Sequence, residues 1–179
     1  MSASELYEQI IRALIDDYNM RRFRPILEID ILGHMYHLTT TMARDGEVHL
    51  ATRVCGVEGD KKFDFVVGLR SDEGERSCVN PHLICEVKCL PTSFTFQQCQ
   101  TRVSEAIDRD LPKLALQQLR HLPRSLIVLD ERRHLRTGKA VGFNLKIDRI
   151  ISVRNQLDSR IMFDYLERNE KGSIQLNRL

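Results

Sequence analysis

Two short apolar runs constrain this chain more than any other stretch: Lys62-Phe63-Asp64-Phe65-Val66-Val67-Gly68 and Leu83-Ile84-Cys85-Glu86-Val87-Lys88-Cys89. Both are rich in aromatic and β-branched residues and bounded by turn formers, which predicts neighbouring strands. Each carries charge where a buried strand should carry none. Side chains alternate along a strand, so Glu86 and Lys88 share one face, roughly 6.6–6.8 Å apart, while Cys85, Val87 and Cys89 face the other way. A carboxylate or an ammonium inside a sheet costs several kcal/mol unless it is paired or binds a metal. Asp64 on the preceding strand adds a second carboxylate. Such a cluster suits a hard divalent cation beside a phosphate oxygen. The competing reading makes Glu86 and Lys88 a structural ion pair, or the solvated face of an edge strand.

Asp64, followed about twenty residues later by Glu86-x-Lys88 on the next strand, resembles the D…(D/E)xK signature of the PD-(D/E)xK nuclease superfamily. That group includes restriction endonucleases and Holliday-junction resolvases. Asp60-Lys61-Lys62 also satisfies DxK, but it lies in a polar loop; the apolar setting separates the two. The resemblance implies a restriction-endonuclease-like α/β fold, an α+β mixed sheet in the order helix, three-strand meander, helix, strand. It covers residues 4–130 of a single domain 1–179, with 131–179 as a C-terminal β-rich extension. It also implies that Asp64, Glu86 and the carbonyl of Val87 hold Mg²⁺ or Mn²⁺. Lys88 would orient the attacking water and offset charge growing on the phosphate. Many members bring a glutamate from the first helix to the metal, and Glu8, bordering that helix's apolar stripe, is the candidate. Several branches place a helix-borne glutamine near the attacked phosphate, here Gln100. The expected function is a metal-dependent endonuclease, with DNA ahead of RNA as substrate. The alternative is a non-catalytic nuclease-fold subunit that binds within, or helps assemble, a nucleic-acid-processing complex.

A net charge of +2 over 179 residues gives no global attraction for nucleic acid, so any such surface must be local. The densest basic run, 131–139, supplies it in this reading, with Arg132, Arg133, Arg136 and Lys139 lining a groove for a sugar–phosphate backbone. A solvated loop is the competing reading. Cutting a duplex in one encounter needs two active sites, which a homodimer would supply. Apolar runs such as Leu126-Ile127-Val128-Leu129 are far too short to span a bilayer. Five cysteines without a CxxC spacing point to core packing in a reducing, cytoplasmic compartment.

The remaining chain reads in order. Residues 3–18 are amphipathic, with Ser2 and Glu5 forming a capping box. Residues 26–57 read as β, with arms 35–43 and 47–57 about Asp45-Gly46. Glu28 and Asp30 would then line a solvated strand face, and His34 and His37 would point to opposite faces. Residues 71–81 read as a surface loop, and a helix begins near Thr95 with Phe96, Cys99, Val103, Ala106 and Ile107 as its buried stripe. Asp110-Leu111-Pro112 predicts a fresh N-cap and a second helix to about His121. Residues 125–130 read as a buried strand, 141–153 as extended, and 160–167 with 173–176 as a terminal hairpin.

Overall fold

The computed structural model describes residues 2–42, 47–71, 77–137 and 147–179. Six strands form one mixed sheet in simple sequential order: β1 (Glu47–Arg53), β2 (Lys62–Ser71), β3 (Cys78–Leu90), β4 (Arg124–Asp130), β5 (Met162–Arg168) and β6 (Ile174–Arg178). β1, β2 and β3 form an antiparallel meander, β3, β4 and β5 run parallel, and β6 turns back antiparallel. The mixed α/β class expected from the sequence is the one observed. Parallel strands need covered faces, and β4 alternates accordingly. Leu126 and Val128 pack into one core, Ile127 and Leu129 into the other.

One face carries α1 (Ala3–Asn19) and α2 (Glu28–Met42). α1 opens with the expected capping box, Ser2 and Glu5 each accepting the other's backbone N–H. It buries Leu6, Ile10, Ile11, Leu14 and Tyr18. It is tied to β6 at two points: Asn19 exchanges hydrogen bonds of 3.1 and 2.7 Å with the backbone of Ile174, and Glu8 accepts from Arg178 at 2.7 Å. The opposite face carries α3 (Phe96–Glu105), which runs through a π-helical turn at Ala106–Asp110 into α4 (Leu111–Leu114), and α6 (Ile147–Asp158). A short α5 (His134–Thr137) follows β4.

Several expectations are corrected. Residues 28–42, expected as strand, form α2: Ile31, Leu32, Met35, Leu38 and Thr39 repeat at helical spacing and are buried. The hydroxyls of Thr39, Thr40 and Thr41 bond back to the carbonyls of Met35, His37 and Leu38, so three β-branched residues are accommodated in the last turn. His34 and His37 thus lie one helical turn apart, and His34 stacks on Phe23 at 4.2 Å. Asp45-Gly46 lies outside the described residues. β1 ends at Arg53, short of the expected 57.

β3 begins at Cys78, inside the expected loop. Residues 147–153, expected as extended, belong to α6, so the C-terminal extension contributes a helix as well as the anticipated hairpin. Asp110 is no N-cap; its backbone is helical and its side chain makes no cap. Pro112 has no N–H for the carbonyl four residues back, and the preceding turn widens to meet it, Leu111 donating to Ala106. Phe96 is exposed rather than buried. Cys55 and Cys78 form a disulfide, against the expectation of reduced cysteines; Cys85, Cys89 and Cys99 are free and buried as anticipated.

Candidate metal centre

The β2–β3 ladder pairs Val67 with Leu83, Val66 with Ile84 and Phe65 with Cys85, and stops there. One residue further in that register sets Asp64 across from Glu86, on the same face of the sheet. Beyond this row β2 parts from β3, and the Val87 N–H donates to Asp64 Oδ2 at 3.0 Å instead of to a backbone carbonyl. The neighbouring β1–β2 ladder skips the same row: Leu50 pairs with Phe65 and Thr52 with Phe63, while Ala51, opposite Asp64, has φ 48°. A non-glycine residue there is strained. Both ladders are therefore interrupted where the acids stand.

Glu86 and Lys88 point to the α3–α4 side of the sheet, alternating with Cys85, Val87 and Cys89 on the α1–α2 side. Glu86 is fully buried. Its Oε1 lies 2.6 Å from Lys113 Nζ, and its Oε2 accepts no hydrogen bond among the described residues. Burial first, and then the charge of Asp64, pushes the Glu86 carboxyl well above the usual carboxylate range, outweighing Lys113. Lys88, 2% exposed, is gripped from three sides: Asp110 Oδ2 at 2.9 Å, Glu28 Oε1 at 3.5 Å and Asp64 Oδ2 at 3.9 Å. It also donates to the Val87 carbonyl at 3.0 Å. Burial alone would lower the Lys88 pKa, but Asp110, Glu28 and Asp64 together raise it, so the ammonium stays charged. Burial likewise raises Glu28. Arg109 Nε closes the rim, 3.1 Å from Asp110 Oδ1.

Asp64, Glu86, Val87 and Lys88 are thus brought together. Glu8 is not: it lies on the face of α1 toward β6, paired with Arg178 at 2.7 Å. The glutamate a helix does bring is Glu28, from the first turn of α2, which Asp30 holds by accepting the N–H groups of Ile26 and Leu27, both at 2.8 Å. Gln100 is half-buried on α3, and no hydrogen bond or ion pair joins it to the cluster. In the basic run, Arg132 is exposed and Arg133 lies 3.4 Å from Glu167. The side chain of Arg136 and the whole of Lys139 lie outside the described residues.

Asp110 and Lys113 escaped the sequence reading, yet a signal existed. Val103, Ala106, Ile107, Asp110, Leu111 and Leu114 fall on one helical stripe, so an acid interrupts a run of buried positions.

Every donor here is oxygen, which favours a hard cation. Among the described residues no three His, Cys, Asp or Glu side chains are disposed to hold a metal together. The fit is therefore to an ion content with the two carboxylates of Asp64 and Glu86, the Val87 carbonyl and water, as Mg²⁺ commonly is. The unsatisfied Oε2 of buried Glu86 speaks for such a partner.

No model of a known protein family matches the chain, and no curated protein matches it. Among solved structures, SfsA of Pyrococcus furiosus, in complex with Ca²⁺, is similar at a TM-score of 0.39 and 14% identity. The match covers 84% of this chain and 64% of that one, so this chain spans under two-thirds of that protein's length. The link is a weak one at the level of the fold. No helix among the described residues is long and apolar enough to cross a membrane.

Proposed function

We propose that the protein is a metal-dependent endonuclease of the PD-(D/E)xK kind, hydrolysing phosphodiester bonds of nucleic acid, DNA ahead of RNA. The observation that carries this reading is the row at which both ladders break, where Asp64 faces Glu86 with the ammonium of Lys88 beside them. Asp64, Glu86 and the Val87 carbonyl would hold Mg²⁺ or Mn²⁺. When bound, the ion would polarise the phosphodiester and lower the pKa of a water. The chain's own residues prepare for this. The Val87 N–H fixes the Asp64 carboxylate, Asp110 and Glu28 hold Lys88 in its charged form, and Lys88 adds a positive charge that would offset the acids facing a phosphate.

Cleavage of duplex, single-stranded and branched DNA and of RNA, with Mg²⁺ or Mn²⁺, tests the proposal. The control is Asp64→Asn, which keeps an acceptor for the Val87 N–H and removes the charge. Divalent-dependent cutting abolished by Asp64→Asn is expected. Cutting that survives the substitution, or none on any substrate, sinks the reading. A non-catalytic binding subunit is favoured by the net charge of +2 and by the engagement of Arg133 with Glu167. It predicts binding that neither needs a divalent ion nor responds to Asp64→Asn.

A further inference from the structure

The two lysines of the cluster are built differently. Lys88 rises from a central strand, is locked among three acids and a carbonyl, and is 2% exposed. Lys113 reaches in from α4 on a flexible stem and is 10% exposed. Its ammonium lies 2.6 Å from Glu86 Oε1, 2.7 Å from the Lys62 carbonyl and 3.9 Å from Asp110 Oδ1, with the ring of Phe63 at 5.1 Å. Two close oxygens, one from a carboxylate and one from a carbonyl, with a π-face alongside, form a seat for a cation. Glu86 is completely buried, and Lys113 is the cation that reaches it among the described residues.

We infer that Lys113 is the resident cation of Glu86, holding that carboxylate until a divalent ion displaces it. This rests on the reading of Asp64 and Glu86 as metal ligands. A buried carboxylate without a partner is costly, so a site that must accept an exchangeable ion gains from a tethered substitute while it is empty. A lysine suits the task, since its ammonium is a point charge on four rotatable methylenes rather than a fixed planar fork. Displacement frees the ammonium at the edge of the site, one turn of helix from Asp110, where it can meet an incoming phosphate. Lys113 is thus a positioning residue in the empty protein and a metal competitor when the ion arrives.

Isothermal titration calorimetry with Mn²⁺ alone, without nucleic acid, tests this on the whole chain. Lys113→Gln removes the competing charge. Lys113→Met also does so while keeping the stem against Phe63, which guards against a folding defect in the first variant. Both are expected to bind Mn²⁺ roughly tenfold more tightly than the parent, the factor corresponding to an ion pair of about 1.4 kcal/mol. Both should also melt below the parent in chelator, with the gap closing at saturating Mn²⁺. Binding by the parent and both variants with equal affinity, or weaker binding by the variants, overturns the inference and leaves the metal site standing. No heat from any of the three overturns the inference and the metal site together.

Discussion

Replacing Lys88 by methionine tests the electrostatics of the cluster independently of any activity. Methionine fills nearly the same volume, so the change isolates the charge. Three carboxylates within 4.0 Å of Nζ, those of Asp110, Glu28 and Asp64, would lose their shared cation in a site where Lys88 itself is 2% exposed. Removing one partner of a buried ionic group costs about 3–5 kcal/mol, because the orphaned charge stays buried. For a chain of this size that lowers the melting midpoint by roughly 6–20 °C. The assay is urea unfolding followed by far-UV circular dichroism in chelator. Adding Asp110→Leu to Lys88→Met removes the nearest orphan. The double variant should recover at least about 2 kcal/mol relative to the sum of the single losses. A Lys88→Met loss below about 1 kcal/mol, or strict additivity of the pair, would refute the account of a lysine compensating buried acids.

Three further outcomes are expected. Gly68 lies at the β-bulge between β2 and β3, where a Cβ would stand 2.2 Å from the Asn80 carbonyl oxygen and 2.7 Å from Val79 Cγ1. Gly68→Ala should therefore cost about 3 kcal/mol in urea unfolding, and a cost under about 1 kcal/mol would contradict that packing. Because the folded Glu86 carboxyl titrates above its unfolded value, its protonated form favours the fold below about pH 4.5, and that contribution is lost as pH rises through the folded pKa. Glu86→Gln should flatten the fall in metal-free stability with rising pH, and an unchanged slope of melting temperature against pH would exclude Glu86 as its source. The Cys55–Cys78 disulfide closes a loop across 23 residues; Cys55→Ser with Cys78→Ser should lose about 3 kcal/mol, and equal stability of parent and variant under oxidising conditions would contradict a bond that restrains the unfolded chain.

What could be read in the sequence follows from which physical signals are local. β2, β3 and β4 were legible because runs such as Phe65-Val66-Val67 and Leu126-Ile127-Val128-Leu129 suit only a doubly covered sheet. α1 was legible because capping and stripe agree. α2 was not: Ile29, Ile31 and the threonines at 39–41 carry strand propensity, and tertiary burial of Ile31, Met35 and Leu38 overrides it. α6 misled for the same reason, its Ile150 and Val153 being β-branched. Within the site, the pair Asp64 and Glu86 was legible because a charge in an apolar strand is conspicuous. Glu28 was hidden by the misread helix. Asp110 was hidden because Asp-Leu-Pro resembles a helix start, whereas the π turn lets proline follow without a break.

The tie between α1 and β6 sets an order of events. Asn19 bonds to Ile174, 155 residues later, and Glu8 to Arg178. α1 also packs on α2 and on the same side of β3 and β4, so its apolar stripe finds partners nearer in sequence first. Its bonds to β6 must close loops of 155 and 170 residues before they return any stability. Contacts of such separation slow folding relative to a chain of this size held by local contacts.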